Sequence, residues 1–166
     1  MEEQVAALLA ALKKPSTNVD TRLQLFNPVK SSIKHQRVPE ACQADTFECI
    51  RIAISASTSA ALVATGLSTL SHFIKRLQLQ EQTWVLTSQS ARLLPVLTDR
   101  LADARESHRT AASQLLADLH PLCPLEVEQA IQNAMKGANP RAKEASMPCL
   151  VKVSLSCLPA HGWTTC

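Results

Sequence analysis

Residues 93–119 read LLPVLTDRLADARESHRTAASQLLADL, and this stretch decides the fold class. Leu93, Leu94, Leu97 and Leu101 recur at the three- and four-residue steps that line one face of a helix. Ala111, Ala112, Leu115, Leu116 and Leu119 do the same in a second segment. Asp103-Ala104-Arg105 supplies a tight turn between the two. Neither helix can bury its stripe against the other alone, so the pair predicts similar pairs stacked beside it.

Working outward, the same pattern appears in three further pairs, at a period near 40 residues that is usual for helical repeats. The first pair is expected at 2–14 and 18–35. Val5, Leu8, Leu9 and Leu12 face inward in one helix, and Val19, Leu23, Phe26, Val29 and Ile33 in the other. Pro15 stops the first of these helices, and Thr17 or Asn18 can cap the second. The second pair is expected from Pro39 to Ala56 and from Thr58 to Leu79, with Pro39 in a first turn, where no amide hydrogen is needed. Its stripe is Ile50, Ile54, Leu62, Val63, Leu67, Leu70, Phe73, Ile74 and Leu77. Gly66 falls mid-helix, where glycine costs about 1 kcal/mol against alanine, so a close helix crossing is expected there.

The opening stretch is the third pair, preceded by a short apolar segment, Trp84-Val85-Leu86, whose tryptophan reads as core. The fourth pair is expected at 124–136 and 140–153. Leu125, Val127, Ile131 and Met135 face inward in one helix, and Ala142, Ala145, Met147, Leu150 and Val151 in the other. Gly137 ends the first of these, and Asn139-Pro140 opens the second with a cap and a first-turn proline. Pro28, Pro95 and Pro148 lie inside helical patterns, where each removes a hydrogen bond; Pro28 and Pro148 in particular predict bends or local breaks. From Ser154 the pattern stops, so 1–153 reads as the repeat domain and 154–166 as an irregular tail. A splice-donor-like sequence read through in frame at Lys152-Val153-Ser154 would account for such a tail as a gene-model artefact.

Composition narrows the function classes. Glycine is scarce (3), tyrosine is absent and aromatics make up 3% of the 166 residues, a mixture that favours helix over sheet. No apolar run approaches the roughly 18 residues a bilayer span needs, and the N-terminus opens with two glutamates rather than the basic residues of a secretory signal. The six cysteines form no C-x-x-C pair and read as thiols rather than bridges. His120, Cys123 and Cys149 could share a metal, but H-x-x-C alone is weak against ordinary packing. His35, His72 and His108 are scattered on separate helices, and no glycine loop to cradle phosphate exists. The reading is a non-enzyme without cofactor or metal. Few aromatics and a pI near 8.6 rank nucleic acid below protein as a partner, and the acidic start of the first helix argues against an anionic membrane.

Pro95 in a first helix, Asp103 at the turn, then Arg109, Ala112 and leucines resemble the residue order of a HEAT repeat. Four segments extend the resemblance: NPVKSSIKHQRVPEACQADTFECIRIAI (27–54), STLSHFIKRL (68–77), the stretch 91–119, and AMKGANPRAKEASMPCLVKV (134–153). As a set they resemble the N-terminal TOG-like domain of CLASP proteins, of the filamentous-fungal type. The resemblance implies an all-α solenoid of about four HEAT-like pairs here, a partial TOG domain of a longer array. It implies a microtubule-associated scaffold that binds tubulin or microtubule plus ends in mitosis, in the cytoplasm, on the cytoskeleton and spindle, and in the nucleus of fungi with closed mitosis. Docking of a kinetochore or regulatory protein without direct tubulin binding is the alternative. The first turn, Lys13-Lys14-Pro15-Ser16-Thr17, lacks the tryptophan that tubulin-binding members present there.

On a stacked array the turns within units share one edge. Lys13 and Lys14 lie in the first turn, Asp103, Arg105 and Glu106 in the third, and Lys136, Arg141, Lys143 and Glu144 around the fourth. Their balance equals the formal net charge of the whole chain, +3, whereas the opposite edge is net acidic. A basic edge suits an acidic protein such as tubulin, although charged turns are also what any solvated helix pair carries. The candidate binding residues are therefore Lys13, Lys14, Arg105, Lys136, Arg141 and Lys143. Pro95, Asp103, Arg109 and Ala112 are assigned to the architecture.

Overall fold

The computed structural model describes residues 1–137 and 140–156 and, in the last helix, the side chains up to Pro148 and that of Val151. The elements are α1 (Glu2–Lys13), α2 (Val19–His35), α3 (Glu40–Ser55), α4 (Ala60–Leu79), α5 (Trp84–Arg100), α6 (Glu106–Leu119), α7 (Pro124–Lys136) and α8 (Pro140–Ser156). Consecutive helices pair as α1/α2, α3/α4, α5/α6 and α7/α8. The odd-numbered helices pack side by side in one layer and the even-numbered ones in a second. That is the two-layer stack of an α-solenoid, in which each pair buries its stripe against its neighbours. One continuous core runs from Val5 through Phe26, Ile50, Phe73, Leu97 and Leu116 to Ile131.

Local chemistry explains the helix ends. Asn18 caps α2, its side chain accepting from the Thr21 amide at 2.7 Å, and Ser59 caps α4 through the Leu62 amide at 3.2 Å. Pro39 sits at the N-cap of α3, one position before the first turn. After α4 the amide of Gln82 bonds the Leu77 carbonyl at 2.9 Å and that of Glu81 bonds the Gln78 carbonyl at 3.1 Å. This is a Schellman ending, and Glu81 takes the left-handed conformation (φ 58°) that glycine usually supplies. Gln82 is thereby turned inward, where its carbonyl oxygen accepts from Gln43 and Gln80 and its amide donates to Glu40. Gly66 sits at the α3/α4 crossing: a Cβ there would stand 3.0 Å from Ala53 Cβ and 3.0 Å from Ile54 Cγ1. The close approach accounts for glycine in mid-helix.

The structure corrects several sequence-based expectations. Trp84 is not core: it is 63% exposed and opens α5, which takes in the separate apolar segment expected before residue 93. Of the bends or local breaks expected at the prolines, breaks are excluded, for α2, α5 and α8 run through Pro28, Pro95 and Pro148. All three rings lie on exposed faces, where water can satisfy the carbonyl each proline leaves free. Val19, Leu125, Met147 and Val151 point outward rather than inward. For the last three the reason is that no described helix pair packs beyond α7/α8. α8 continues to Ser156 instead of stopping near Val153. The expected Asn139 cap and the inward Leu150 lie outside the described residues, as does the tail from Cys157.

Candidate protein-binding edge

Three surface clefts trace how the turns within pairs follow one another along one edge. The first lies between Arg22 at the start of α2 and the second turn, lined by Arg51, Ser55, Ser57 and Thr58. The next separates the second turn from the third, with Ser57 and Thr58 facing Arg100, Asp103, Arg105 and His108. The last lies between the third turn and α8, with Asp103, Ala104 and Arg109 facing Arg141, Glu144 and Pro148. Lys13 and Lys14 end α1 at the near end of this edge. Arg22 ties that turn down by donating from Nη2 to the Lys14 carbonyl at 2.9 Å.

The third turn is locked by its own charges. Asp103 accepts from the Arg105 amide at 2.9 Å through one oxygen and pairs with Arg100 Nη1 at 2.8 Å through the other. His108 Nδ1 approaches the second oxygen at 3.3 Å but lies out of hydrogen-bond alignment. Burial pushes the Asp103 carboxyl up; the Arg105 amide, Arg100 and His108 overcome that and hold it at about 2. Arg109 serves the same turn differently: its Nη1 donates to the carbonyls of Asp103 at 2.9 Å and Ala104 at 3.1 Å, not to the carboxylate. Ala112 is fully buried in the same helix. Pro95 lies exposed in the middle of α5.

Lys13, Lys14, Arg105, Lys136, Arg141 and Lys143 are all exposed. Lys136 ends α7, and Arg141 and Lys143 stand in the first turn of α8, so they flank the fourth turn. The arginines the sequence reading passed over are Arg22, Arg51 and Arg100, which sit inside helices beside the turns. Arg51 forks onto Glu48 at 2.9 and 2.8 Å, and Arg92 of α5 adds a third contact at 3.1 Å. The Arg51 hydrogen bonds are the main reason the Glu48 carboxyl lies below its usual range. An i,i+3 spacing of opposite charges marked both Glu48–Arg51 and Arg100–Asp103 in the sequence. No comparable signal pointed to Arg22, whose role depends on a neighbouring turn.

The opposite edge is built from connections between pairs and is braced by polar contacts. Arg76 donates to the carbonyls of Ile33 at 2.9 Å and Lys34 at 2.6 Å, and Gln80 exchanges bonds with the Val38 backbone. His120 Nε2 meets Glu128 Oε1 at 3.0 Å. Leu79, Trp84 and Leu125, at helix ends on this side, are exposed. Cys42, Cys49 and Cys123 are buried free thiols; burial pushes Cys49 up to about 12 and Cys123 to about 11, which keeps both protonated and unreactive. Among the described residues no group of His, Cys, Asp or Glu could hold a metal, and no helix is long and apolar enough to cross a membrane.

Comparison with known proteins agrees with this architecture. A family model described as CLASP N terminal matches residues 1–156. Protein STU1 of Phaeosphaeria nodorum is 71% identical over 154 residues, covering 93% of this chain and 13% of that protein. Protein stu1 of Aspergillus fumigatus is 45% identical over 157 residues, covering 94% of this chain and 12% of that protein. Protein STU1 of Debaryomyces hansenii is 30% identical over 125 residues, 75% of this chain and 8% of that protein. The chain thus spans a small fraction of the length of the curated relatives it matches. With an all-helical two-layer stack and a family match along nearly its whole length, the chain belongs to the CLASP N-terminal family.

Proposed function

We propose that this chain is a non-enzymatic, microtubule-associated scaffold whose turn edge binds tubulin and so helps stabilise spindle microtubules. The observation that carries the reading is the alignment of the turns on one edge, with Lys13, Lys14, Arg105, Lys136, Arg141 and Lys143 exposed along or beside it. Tubulin is an acidic protein, and a basic rim speeds its approach and fixes its register. The places of action are the cytoplasm, the cytoskeleton and spindle, and the nucleus where mitosis is closed. Co-elution of the chain with tubulin heterodimer at low salt tests the reading. Reversing charge at Lys13, Lys14, Arg141 and Lys143 is expected to weaken binding at least tenfold while the helical circular dichroism and melting profile stay unchanged. Co-elution unaffected by the reversal sinks the edge as the tubulin contact.

A second reading, docking of a kinetochore or regulatory protein without direct tubulin contact, draws on two features. The first turn has no aromatic anchor, although aromatics are the best hot-spot residues. Leu79 and Trp84 are instead exposed on the opposite edge. Absence of tubulin binding together with capture of a partner that is lost on Trp84→Ala favours this reading.

A further inference from the structure

Among the described residues, three buried side-chain nitrogens have no hydrogen-bond partner: Arg22 Nε, Arg100 Nε and His108 Nδ1. All three residues line the two clefts on either side of the second turn, Arg22 in one and Arg100 with His108 in the other. His108 Nδ1 faces the Asp103 carboxylate at 3.3 Å, so the unmet donors are the two arginine nitrogens. A buried donor left unpaired is destabilising, and two beside one turn mark a place where an acceptor is missing.

The turn between the clefts carries hydroxyls. Ser57 and Thr58 are exposed, line both clefts, and have no hydrogen bond among the described residues. They immediately precede the N-terminus of the 20-residue helix α4. Ser59 already caps one amide there, and the amides of the first turn remain open to an anion. Arginines stand on both sides: Arg22 across one cleft beside Arg51, which is forked onto Glu48, and Arg105 across the other beside Arg100, which keeps its Nε free. The one acid in these clefts is Asp103, whose oxygens are already engaged by Arg100 and the Arg105 amide. The guanidinium of Arg105 has no partner among the described residues.

We propose that the Ser57-Thr58 turn is a phosphorylation site, the phosphoryl group being received by the arginine-lined clefts beside it. A protein kinase would supply the group from a nucleoside triphosphate. The side-chain oxygen attacks the γ-phosphorus, the new O–P bond forms as the bond to the β-phosphate oxygen breaks, nucleoside diphosphate leaves, and the hydroxyl proton passes to the kinase's base. The modified turn carries nearly two negative charges and three strong acceptor oxygens. Those acceptors match what the orphaned nitrogens lack, and arginine binds phosphate in two-pronged fashion. On the edge proposed above to meet an acidic partner the new charge opposes binding; the test below stands apart from that consequence.

The full chain is made with phosphoserine placed at position 57, or phosphothreonine at 58, during translation, and the phosphate is titrated by phosphorus NMR. In the folded chain the second ionisation is expected about 1 unit below that of the same segment as a free peptide. Arg22→Gln and Arg105→Gln should each reduce the difference; Arg105 is exposed, so its loss leaves the fold intact. Equal titration in chain and peptide, or indifference to both variants, overturns the proposal. A second arm adds inorganic phosphate to the unmodified chain. No saturable response is expected, and saturable binding abolished by the same variants would assign the clefts to free phosphate instead. Mass spectrometry of the tryptic segment 52–75, recovered from growing cells, is expected to find the modification at 57 or 58. Its absence at every growth stage overturns the claim.

Discussion

The second and third turns occupy equivalent places in neighbouring helix pairs and are held in opposite ways. Around the third, Asp103 gathers the Arg105 amide and Arg100, and Arg109 covers the backbone carbonyls of Asp103 and Ala104. Asp103, Arg100 and Arg109 are engaged internally, and of the turn's cations the Arg105 guanidinium is left to solvent. The second turn, residues 56–59, holds no charge and makes one cap through Ser59. Its pair is secured lower down, where Gly66 lets α4 lie against Ala53 and Ile54. The charged groups around it belong to other elements, and some of their donors are unmet. The motif aspartate of the third turn is thus spent on its own turn, while the plain second turn borders open donors.

Three substitutions or titrations sharpen this contrast. Asp103→Ala has the largest expected effect, about 2–3 kcal/mol of lost stability, because it leaves Arg100 without its carboxylate and the Arg105 amide without an acceptor. Urea denaturation of the variant measures it, and a loss below 1 kcal/mol, on the order of a surface pair, would erase the distinction between the turns. Acid titration comes next. The Asp103 carboxyl is held at about 2 in the folded chain, against about 3.9 in an unfolded one. Since the folded value is the lower, the stabilisation is present in full above the unfolded value and drains as pH falls from about 4 towards 2, by about 2 kcal/mol. Asp103→Asn should lack this component of the acid unfolding curve. Smallest is Thr58→Ala, expected to move stability by less than about 0.5 kcal/mol, since the side chain is exposed and unbonded. A larger loss would mean the second turn is braced by its hydroxyls after all.

Much of the fold was legible because helical periodicity is a local signal. Leu93, Leu94, Leu97 and Leu101 fall on one face whatever surrounds them, and all four are buried. Asn18 and Ser59 stand immediately before their helices as capping residues should. Trp84 was misread because an aromatic beside Val85 and Leu86 looks like core, while its burial depends on whether a neighbour reaches the end of α5. Leu125, Met147 and Val151 failed for a similar reason: their stripe needs a further layer that the described residues do not provide. The prolines interrupt no helix, since each stands on a face where water reaches the carbonyl it leaves free.

The candidate edge divides the same way. Exposure of Lys13, Lys14, Arg105, Lys136, Arg141 and Lys143 followed from their places at helix ends, where side chains meet solvent. Sequence also determined the all-α class, the pairing of helices and the net basic turns, because each rests on spacing within some four residues or on simple charge count. Only the tertiary structure decided which turns face each other across a cleft, that Arg22, Arg100 and His108 converge around Ser57 and Thr58, and that Asp103 spends its charge at home. Those relations join residues on separate helix pairs or hinge on the orientation of single side chains, and neither spacing nor composition encodes them. They arise when the pairs stack.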